Sequence, residues 1–355
     1  MKKISSSSKK ARADYITYAG VIAAFIVLTL LKNSGGLNRS LQGLLVPLCY
    51  YMVLAVSLNL VVGISGELSL GHAGFMCVGA FSGAFFSKCT VNAIPAAPLR
   101  LFIAMLLGAA VAALFGLLIG IPVLRLRGDY LAIVTLAFGE IIKELITCLI
   151  VGRDSEGLHI IFNVNGSKTA NDMQLLEGGK IIIKGAQGAT GTQTIATFTA
   201  GFILIMITLF IVQNMVRSRT GRAIMAIRDN RIAAESVGIN ITKYKMTAFV
   251  ISAAMAGAAG ALFGLNYSNL AAAKFDFNTS ILVLVFVVLG GLGNIWGSII
   301  ATIVLYILPE ALRGFATYRM LIYAIVLILV MLGTNSPQLK NLFGRLLPRK
   351  KEEEV

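Results

Sequence analysis

Long apolar segments, separated by short polar stretches, dominate this 355-residue chain. A helix needs about 20 apolar residues to cross a bilayer. The segments fall at 15–31, 41–62, 72–87, 99–124, 129–151, 196–216, 246–265, 280–312 and 319–333. Hydrophobic residues make up 57% of the chain and charged residues only 13%, which excludes a water-soluble domain and a disordered chain. We therefore predict an all-α, polytopic integral membrane protein with about 8–10 transmembrane helices, whose transmembrane domain spans 15–333.

Segment 280–312 is too long for one crossing and too short for two. As a single helix it would measure about 50 Å, whereas the hydrocarbon core is about 30 Å thick. Gly290, Gly291 and Gly293 lie at its middle. This length and these glycines predict a glycine-broken helix pair. Broken helices at membrane depth line pathways in transporters. A tight turn between two crossings fits equally well.

The net charge of +15 follows the membrane topology. In a soluble protein it would suggest nucleic acid, but here many basic residues flank apolar segments, so we predict no nucleic-acid partner. Lys and Arg are frequent in 1–14, 217–245 and 334–355, which predicts a cytoplasmic N-terminus, loop and tail. The long loop 152–195 is then extracytoplasmic. Around Ile181–Ile183 it suggests a short β-hairpin.

The cytoplasmic loop 217–245 contains a short helix suited to docking on a partner. Asp229 or Asn230 can cap its first turn, and Gly238 suits the residue just past its end. Ala233 and Ala234 lie at the centre of the helix, 231–237, where small side chains allow another surface to approach closely. Further docking residues are the charged Arg228 and Glu235. An interfacial helix on the membrane surface is the alternative.

Two further stretches carry candidate pathway residues. Between two apolar helices, the glycine-rich stretch 63–74 contains Glu67, Ser69 and His72, which fit either a gate or a capped turn. Glu140 lies near the centre of segment 129–151, where an unpaired charge costs several kcal/mol. It either pairs with Lys143 on the same helix face or forms part of a polar pathway lining.

The residues favour neither an enzyme nor a metal protein. The chain has four cysteines and two histidines, in no spacing typical of a metal site or a disulfide framework. No paired carboxylates or nucleophile–base set is visible, so we predict no catalytic residues and no cofactor. The small-residue face of Gly257, Gly260 and Gly264 predicts tight helix packing.

Several stretches resemble one transporter family. RTGRAIMAIRDNRIAAESVGI resembles the coupling loop of ABC importer permeases, specifically the M-type member of the branched-chain amino-acid importer family. NLVVGISGELSLGHAGF at 59–75, LRGDYLAIVTLAFGEII at 126–142 and VVLGGLGNIWG at 287–297 support this resemblance. Arg231 departs from the family, which often has an acidic residue there.

The resemblance implies the ABC importer permease fold in the cell membrane of a bacterium. It implies as partners cytoplasmic ABC ATPases, a second, non-identical permease and an extracytoplasmic substrate-binding protein. The sequence contains no Gly-x-x-x-x-Gly-Lys-Ser/Thr phosphate loop, so ATP hydrolysis falls to the partner ATPases. The implied substrate is a branched-chain or other apolar amino acid. Alternatives are a permease for urea or short amides and an ion-coupled amino-acid transporter, which would need several intramembrane carboxylates.

Overall fold

The apolar segments form helices in the computed structural model, which describes residues 2–36, 38–126, 128–154, 157–163 and 179–312, with four single positions between 321 and 328. The helices are α1 (Lys2–Asn33), α2 (Arg39–Asn59), α3 (His72–Cys89), α4 (Ala97–Val123), α5 (Asp129–Cys148), α6 (Phe198–Arg217), α7 (Arg219–Asp229), α8 (Arg231–Ser236), α9 (Ile241–Gly264), α10 (Phe277–Gly290) and α11 (Ile295–Ala311). A π-helical turn, Leu60–Ile64, extends α2. The predicted segment 319–333, apart from those four positions, and the tail 334–355 lie outside the described residues.

Five helical stretches in the described part of the chain are long and apolar enough to cross a membrane: Arg39–Ile64, Ala97–Val123, Phe198–Arg217, Ile241–Gly264 and Ala272–Gly290. Thr17–Asn33 and Ile295–Ala311 are shorter apolar helices. The prediction of an all-α polytopic membrane protein is confirmed. The number of crossings stays a prediction.

The long loop carries a small sheet. Strands β1 (Leu149–Arg153), β2 (Leu158–Phe162) and β3 (Lys180–Lys184) form an antiparallel sheet in the order β2-β1-β3, and β4 (Ala189–Thr190) pairs with β5 (Asn269–Leu270). Ile181–Ile183 is a strand, as predicted. The helical prediction for 149–151 is wrong, because these residues leave α5 and pair with two strands. Lys88, in the last turn of α3, donates to the carbonyls of Ile182 and Thr190 and ties the sheet to the bundle.

Small residues bring α9 against α3 and α4. A β-carbon added to Gly257 would lie 2.3 Å from Cβ of Ala112 and 2.4 Å from the carbonyl oxygen of Gly108 on α4. A β-carbon added to Gly260 would lie 2.0 Å from the carbonyl oxygen of Met76 on α3. The backbones therefore touch, as the predicted small-residue face requires.

The glycine-broken helix pair is present as a hairpin. Helices α10 and α11 meet at the four residues 291–294, where Gly291 and Gly293 have φ of 91° and 81°. At 1.5 Å per residue the two helices are about 21 and 25 Å long, shorter than the hydrocarbon core. Both pack on α2, which also contacts α6 and α9 and thus occupies the centre of the bundle.

We expect the two ends of α9 to lie on opposite sides of the membrane, because α9 is about 36 Å long. Ala226 precedes the helix and Ser268 follows it, and both are exposed. In a variant without the native cysteines, Ser268→Cys should react with an impermeant maleimide on intact cells. Ala226→Cys should react only after permeabilisation. Reaction of both on intact cells would contradict the predicted cytoplasmic position of 217–245.

Candidate functional site

Two short helices form the loop that precedes α9. Ser218 caps α7 by accepting a hydrogen bond from the backbone N–H of Gly221 at 3.2 Å, and α7 buries Ile224 and Ile227 on one face. The side chain of Asn230 caps α8 by accepting from the N–H of Ala233 at 3.0 Å. Of the two predicted caps, Asn230 is therefore the one used.

Gly238 ends α8 as its sequence predicts. Its φ is +81°, a conformation that residues with a β-carbon rarely adopt. Its N–H donates to the carbonyl of Glu235, and the N–H of Ile239 donates to that of Ala234, which together terminate the helix in a Schellman motif. The helix covers 231–236, one residue less than the predicted 231–237.

The two central alanines of α8 face opposite ways. Ala233 is exposed, whereas Ala234 is only 4% exposed and packs with Ile227 and Ile241. The expectation that both alanines are open to a partner is wrong for Ala234, because its face of α8 anchors the helix to α7 and α9.

The outer side of α8 and the residue that follows it form a mostly apolar, exposed surface. Ile232 is 81% exposed and Val237 is 74% exposed, beside the exposed Ala233 and Ser236. We call these four residues the docking face. Glu235, a predicted docking residue, is also exposed.

Arg228 and Asp229 bond to each other, and Arg228 also reaches the end of α2. The guanidinium donates through Nε and Nη2 to Oδ1 of Asp229 at 3.2 and 3.0 Å, and through Nη1 to the carbonyl oxygen of Gly63 at 3.0 Å. The sequence predicted Arg228 only as a docking residue, because the distant Gly63 is invisible to local patterns.

The glycine-rich stretch after α2 runs without helix from Ser65 to Gly71 at the same end of the bundle. Glu67 forms an ion pair with Lys245 of α9, and each side chain is about one-tenth exposed. His72 is buried and its Nε2 lies 2.8 Å from Oγ of Ser57. Oγ of Ser69 is buried and has no hydrogen-bond partner among the described residues.

Asn59 joins α2 to the glycine break, and the sequence analysis missed it. Its side chain is fully buried; Oδ1 accepts from the N–H of Gly293 at 2.8 Å, and Nδ2 donates to Oγ of Ser298 at 3.0 Å. An asparagine inside the apolar segment 41–62 was the available signal, since buried amides require partners. Gly63 lies one turn on and must be small: an added β-carbon would lie 2.2 Å from the nitrogen of Gly293.

Glu140 lies away from this junction and has a partner on its own helix. It forms an ion pair with Lys143, whose Nζ also lies 3.6 Å from Oε1 of Glu144. The internal pair expected from the spacing is confirmed. Whether Glu140 also lines a pathway stays a prediction. Among the described residues no group of three or more His, Cys, Asp or Glu side chains is placed to hold a metal ion.

The structure thus brings most of the predicted coupling and gate residues together at one end of the bundle. The end of α2 is surrounded by Arg228, Glu67 and Gly293. His72, at the start of α3, lies beside Ser57 of α2. Long apolar helices, a glycine-broken hairpin and an exposed helix pair next to it define a polytopic membrane permease.

Comparison with known proteins identifies the family. The family described as branched-chain amino acid transport system / permease component matches residues 40–331. The chain belongs to this family. It is 36% identical over 306 residues to the high-affinity branched-chain amino acid transport system permease protein LivM of Escherichia coli (strain K12), covering 82% of this chain and 69% of that protein.

Two further relatives have lower sequence identity to this chain. The probable branched-chain amino acid transport permease protein LivM of Methanocaldococcus jannaschii is 24% identical over 296 residues, which is 76% of this chain and 80% of that protein. The nucleoside ABC transporter permease protein NupC of Lactococcus lactis subsp. cremoris is 24% identical over 203 residues, or 56% of this chain and 58% of that protein. No solved structure matches the chain.

We expect Gly63→Ala to break the junction between α2 and the hairpin. Its β-carbon would lie 1.9 Å from Oδ1 of Asn59, so the bond to Gly293 must give way. Overpacking of this kind costs about 1–3 kcal/mol. Purified Gly63→Ala should melt at a lower temperature and lose uptake.

Gly43→Ala is the matched control. Gly43 lies on the same helix, and an added β-carbon would have nothing within 4 Å. This variant should melt at or slightly above the wild-type temperature, because alanine favours helix. Equal melting of the two variants would show that the contact at Gly63 does not hold the hairpin.

Proposed function

We propose that this chain is the transmembrane permease subunit of an ATP-driven ABC importer that moves branched-chain or other apolar amino acids into the cell by alternating access. The carrying observation is the docking face of α8, which presents Ile232 and Val237 to the outside of the bundle. Burying such a side chain against a partner stabilises a complex by about 1.5–3 kcal/mol. A cytoplasmic ATPase is the partner we infer, because the chain has no phosphate loop of its own.

The anchoring of α8 supports a mechanical role. Ala234 fixes one face of the helix to α7 and α9, so a push on the docking face is transmitted to the bundle rather than absorbed by a loose loop. In this proposal Arg228, Asp229, Asn230, Ala233, Glu235 and Gly238 shape the docking surface or hold α8 in place, while Ala234 is its anchor.

Family membership supports the remaining partners, and the distribution of Lys and Arg supports the orientation. We propose a second, non-identical permease, an extracytoplasmic binding protein that delivers the substrate, and a bacterial cell membrane with both termini in the cytoplasm. The loop 152–195, with its small sheet, then lies on the outer side, where the binding protein docks.

The proposed pathway runs beside the glycine break rather than through the apolar cavity of the bundle. That cavity, of about 120 Å³, lies between α1, α2, α6 and α11 and is lined by apolar side chains such as Phe25, Met52 and Ile299. It offers no charged partners for a zwitterion. The pathway or gate residues that we propose are instead polar residues and glycines. Glu67, Ser69, His72, Gly290, Gly291 and Gly293 are those near the break, and Glu140 is on α5.

An ion-coupled transporter is less consistent with the described residues. Glu67 and Glu140, the two proposed gate carboxylates, each form an ion pair with a lysine. Coupling by a proton or sodium ion needs carboxylates that gain and lose that ion during transport. Transport that is driven by ATP hydrolysis does not require these carboxylates to bind and release an ion.

The experiment that tests the function uses the complete complex in proteoliposomes. We expect leucine uptake to require ATP on the docking-face side and to persist when ionophores remove all ion gradients. Isoleucine and valine should compete, and urea should not. Uptake driven by an ion gradient without ATP would contradict the proposal. Uptake of urea in place of leucine would show that the proposed substrate is wrong.

The docking face is tested in the same complex by Ile232→Asp. Since this side chain is exposed in the free chain, folding should be unaffected, whereas loss of a central interface contact reduces binding by about tenfold or more. The variant should fail to co-purify with the ATPases and fail to transport.

The control is Ala226→Asp, which places the same carboxylate at an exposed position of α7. It should co-purify and transport as the wild type does. Normal transport by Ile232→Asp would remove the docking face from the interface.

A further inference from the structure

The end of α2 carries carbonyl groups that its own helix cannot satisfy. The last carbonyls of a helix have no partners within it, and here the π-helical turn ends at Ile64. The carbonyl of Gly63 accepts its hydrogen bond from Arg228, which is 165 residues away in the chain. A side chain of the coupling loop therefore completes the end of a central transmembrane helix.

The other side of Gly63 touches the hairpin turn. Its α-carbon packs against Gly293 so closely that no β-carbon fits, and Asn59 bonds to Gly293 and Ser298 from one turn earlier. Arg228, Gly63, Asn59 and Gly293 thus form a continuous series of contacts. It leads from the last turn of α7 to the start of α11.

The side chain of Arg228 is held on both sides, and Arg228 lies just before α8 in the chain. Asp229 accepts from two nitrogens of the guanidinium while the third bonds to Gly63. Asn230, the cap of α8, follows directly in the chain. The stem of Arg228 lies on Gly66, where an added β-carbon would be 2.7 Å from its Cγ. Only a planar side chain with several donors makes all of these hydrogen bonds at once.

We propose that Arg228 is a positioning residue that transmits movement of the docking helix to the glycine-broken hairpin through the carbonyl of Gly63. This inference rests on the proposed function and adds the residue that connects its two parts. Arg228 then acts within the chain and not as a contact to the ATPase. Its side chain is 40% exposed, so replacing it leaves no buried charge without a partner.

The test is Arg228→Gln in the reconstituted complex, with ATP hydrolysis and leucine uptake measured on the same preparation. We expect the ATPases to co-purify normally and to hydrolyse ATP. The amount of leucine transported per ATP should fall by about fivefold or more, because coupling between two sites typically changes an equilibrium by at least that factor. Arg228→Lys keeps the positive charge and a donor group but has a single nitrogen, so it cannot bond to Gly63 and Asp229 through separate nitrogens; it should recover part of this ratio.

Arg222→Gln is the matched control. Arg222 lies on the same helix, and its guanidinium also donates to a carbonyl, but to that of Arg217 within the same loop. It should keep the wild-type ratio of leucine to ATP. A wild-type ratio in Arg228→Gln would overturn the inference, and so would loss of the ATPases from that variant, which would make Arg228 a docking contact. A wild-type complex without ATP-dependent uptake would overturn the proposed function and this inference together.

Discussion

The buried amide of Asn59 is the interaction on which this structure most depends. The Asn59 side chain is fully buried, and leaving a buried polar group unpaired costs about 1–3 kcal/mol. Asn59 satisfies the N–H of Gly293 and bonds to Ser298 in the first turn of α11. The hairpin is thereby fixed to α2, the helix that also contacts α6 and α9. The absence of a side chain at Gly63 allows the two backbones to come this close.

The loop before α9, which we propose couples to an ATPase, contacts the same junction. One face of α8 is anchored through Ala234 and the other is apolar and open, so the helix is both fixed to the bundle and available to a partner. Arg228, in the last turn of α7, donates to the end of α2, and Glu67, in the stretch 65–71, forms an ion pair with Lys245 of α9. In the proposed function, a movement imposed on α8 reaches the hairpin through Arg228 and reaches α9 through Ala234.

Sequence patterns were sufficient for the features that depend on local chemistry. Apolar length predicted the helices, Asp229 or Asn230 predicted the start of α8, Gly238 predicted its end, and the glycines predicted the break in 280–312. The errors arose where distant residues decide the outcome. Ala234 is buried by Ile227 and Ile241, and residues 149–151 become a strand because β2 and β3 pair with them. Asn59 was overlooked because nothing near it in the sequence reveals Gly293 or Ser298 as its partners.

The central claim is that the docking helix and the hairpin turn move as one unit. It is tested most directly by distances between spin labels at Ala226 and Leu292, and between Leu292 and Ser268, in the assembled complex with and without trapped ATP. All three positions are exposed, and Ala226 lies on α7 outside the docking face. The account predicts that the distance between Ala226 and Leu292 stays the same in both states while that between Leu292 and Ser268 shifts. A changed distance between Ala226 and Leu292, with a constant distance between Leu292 and Ser268, would contradict it.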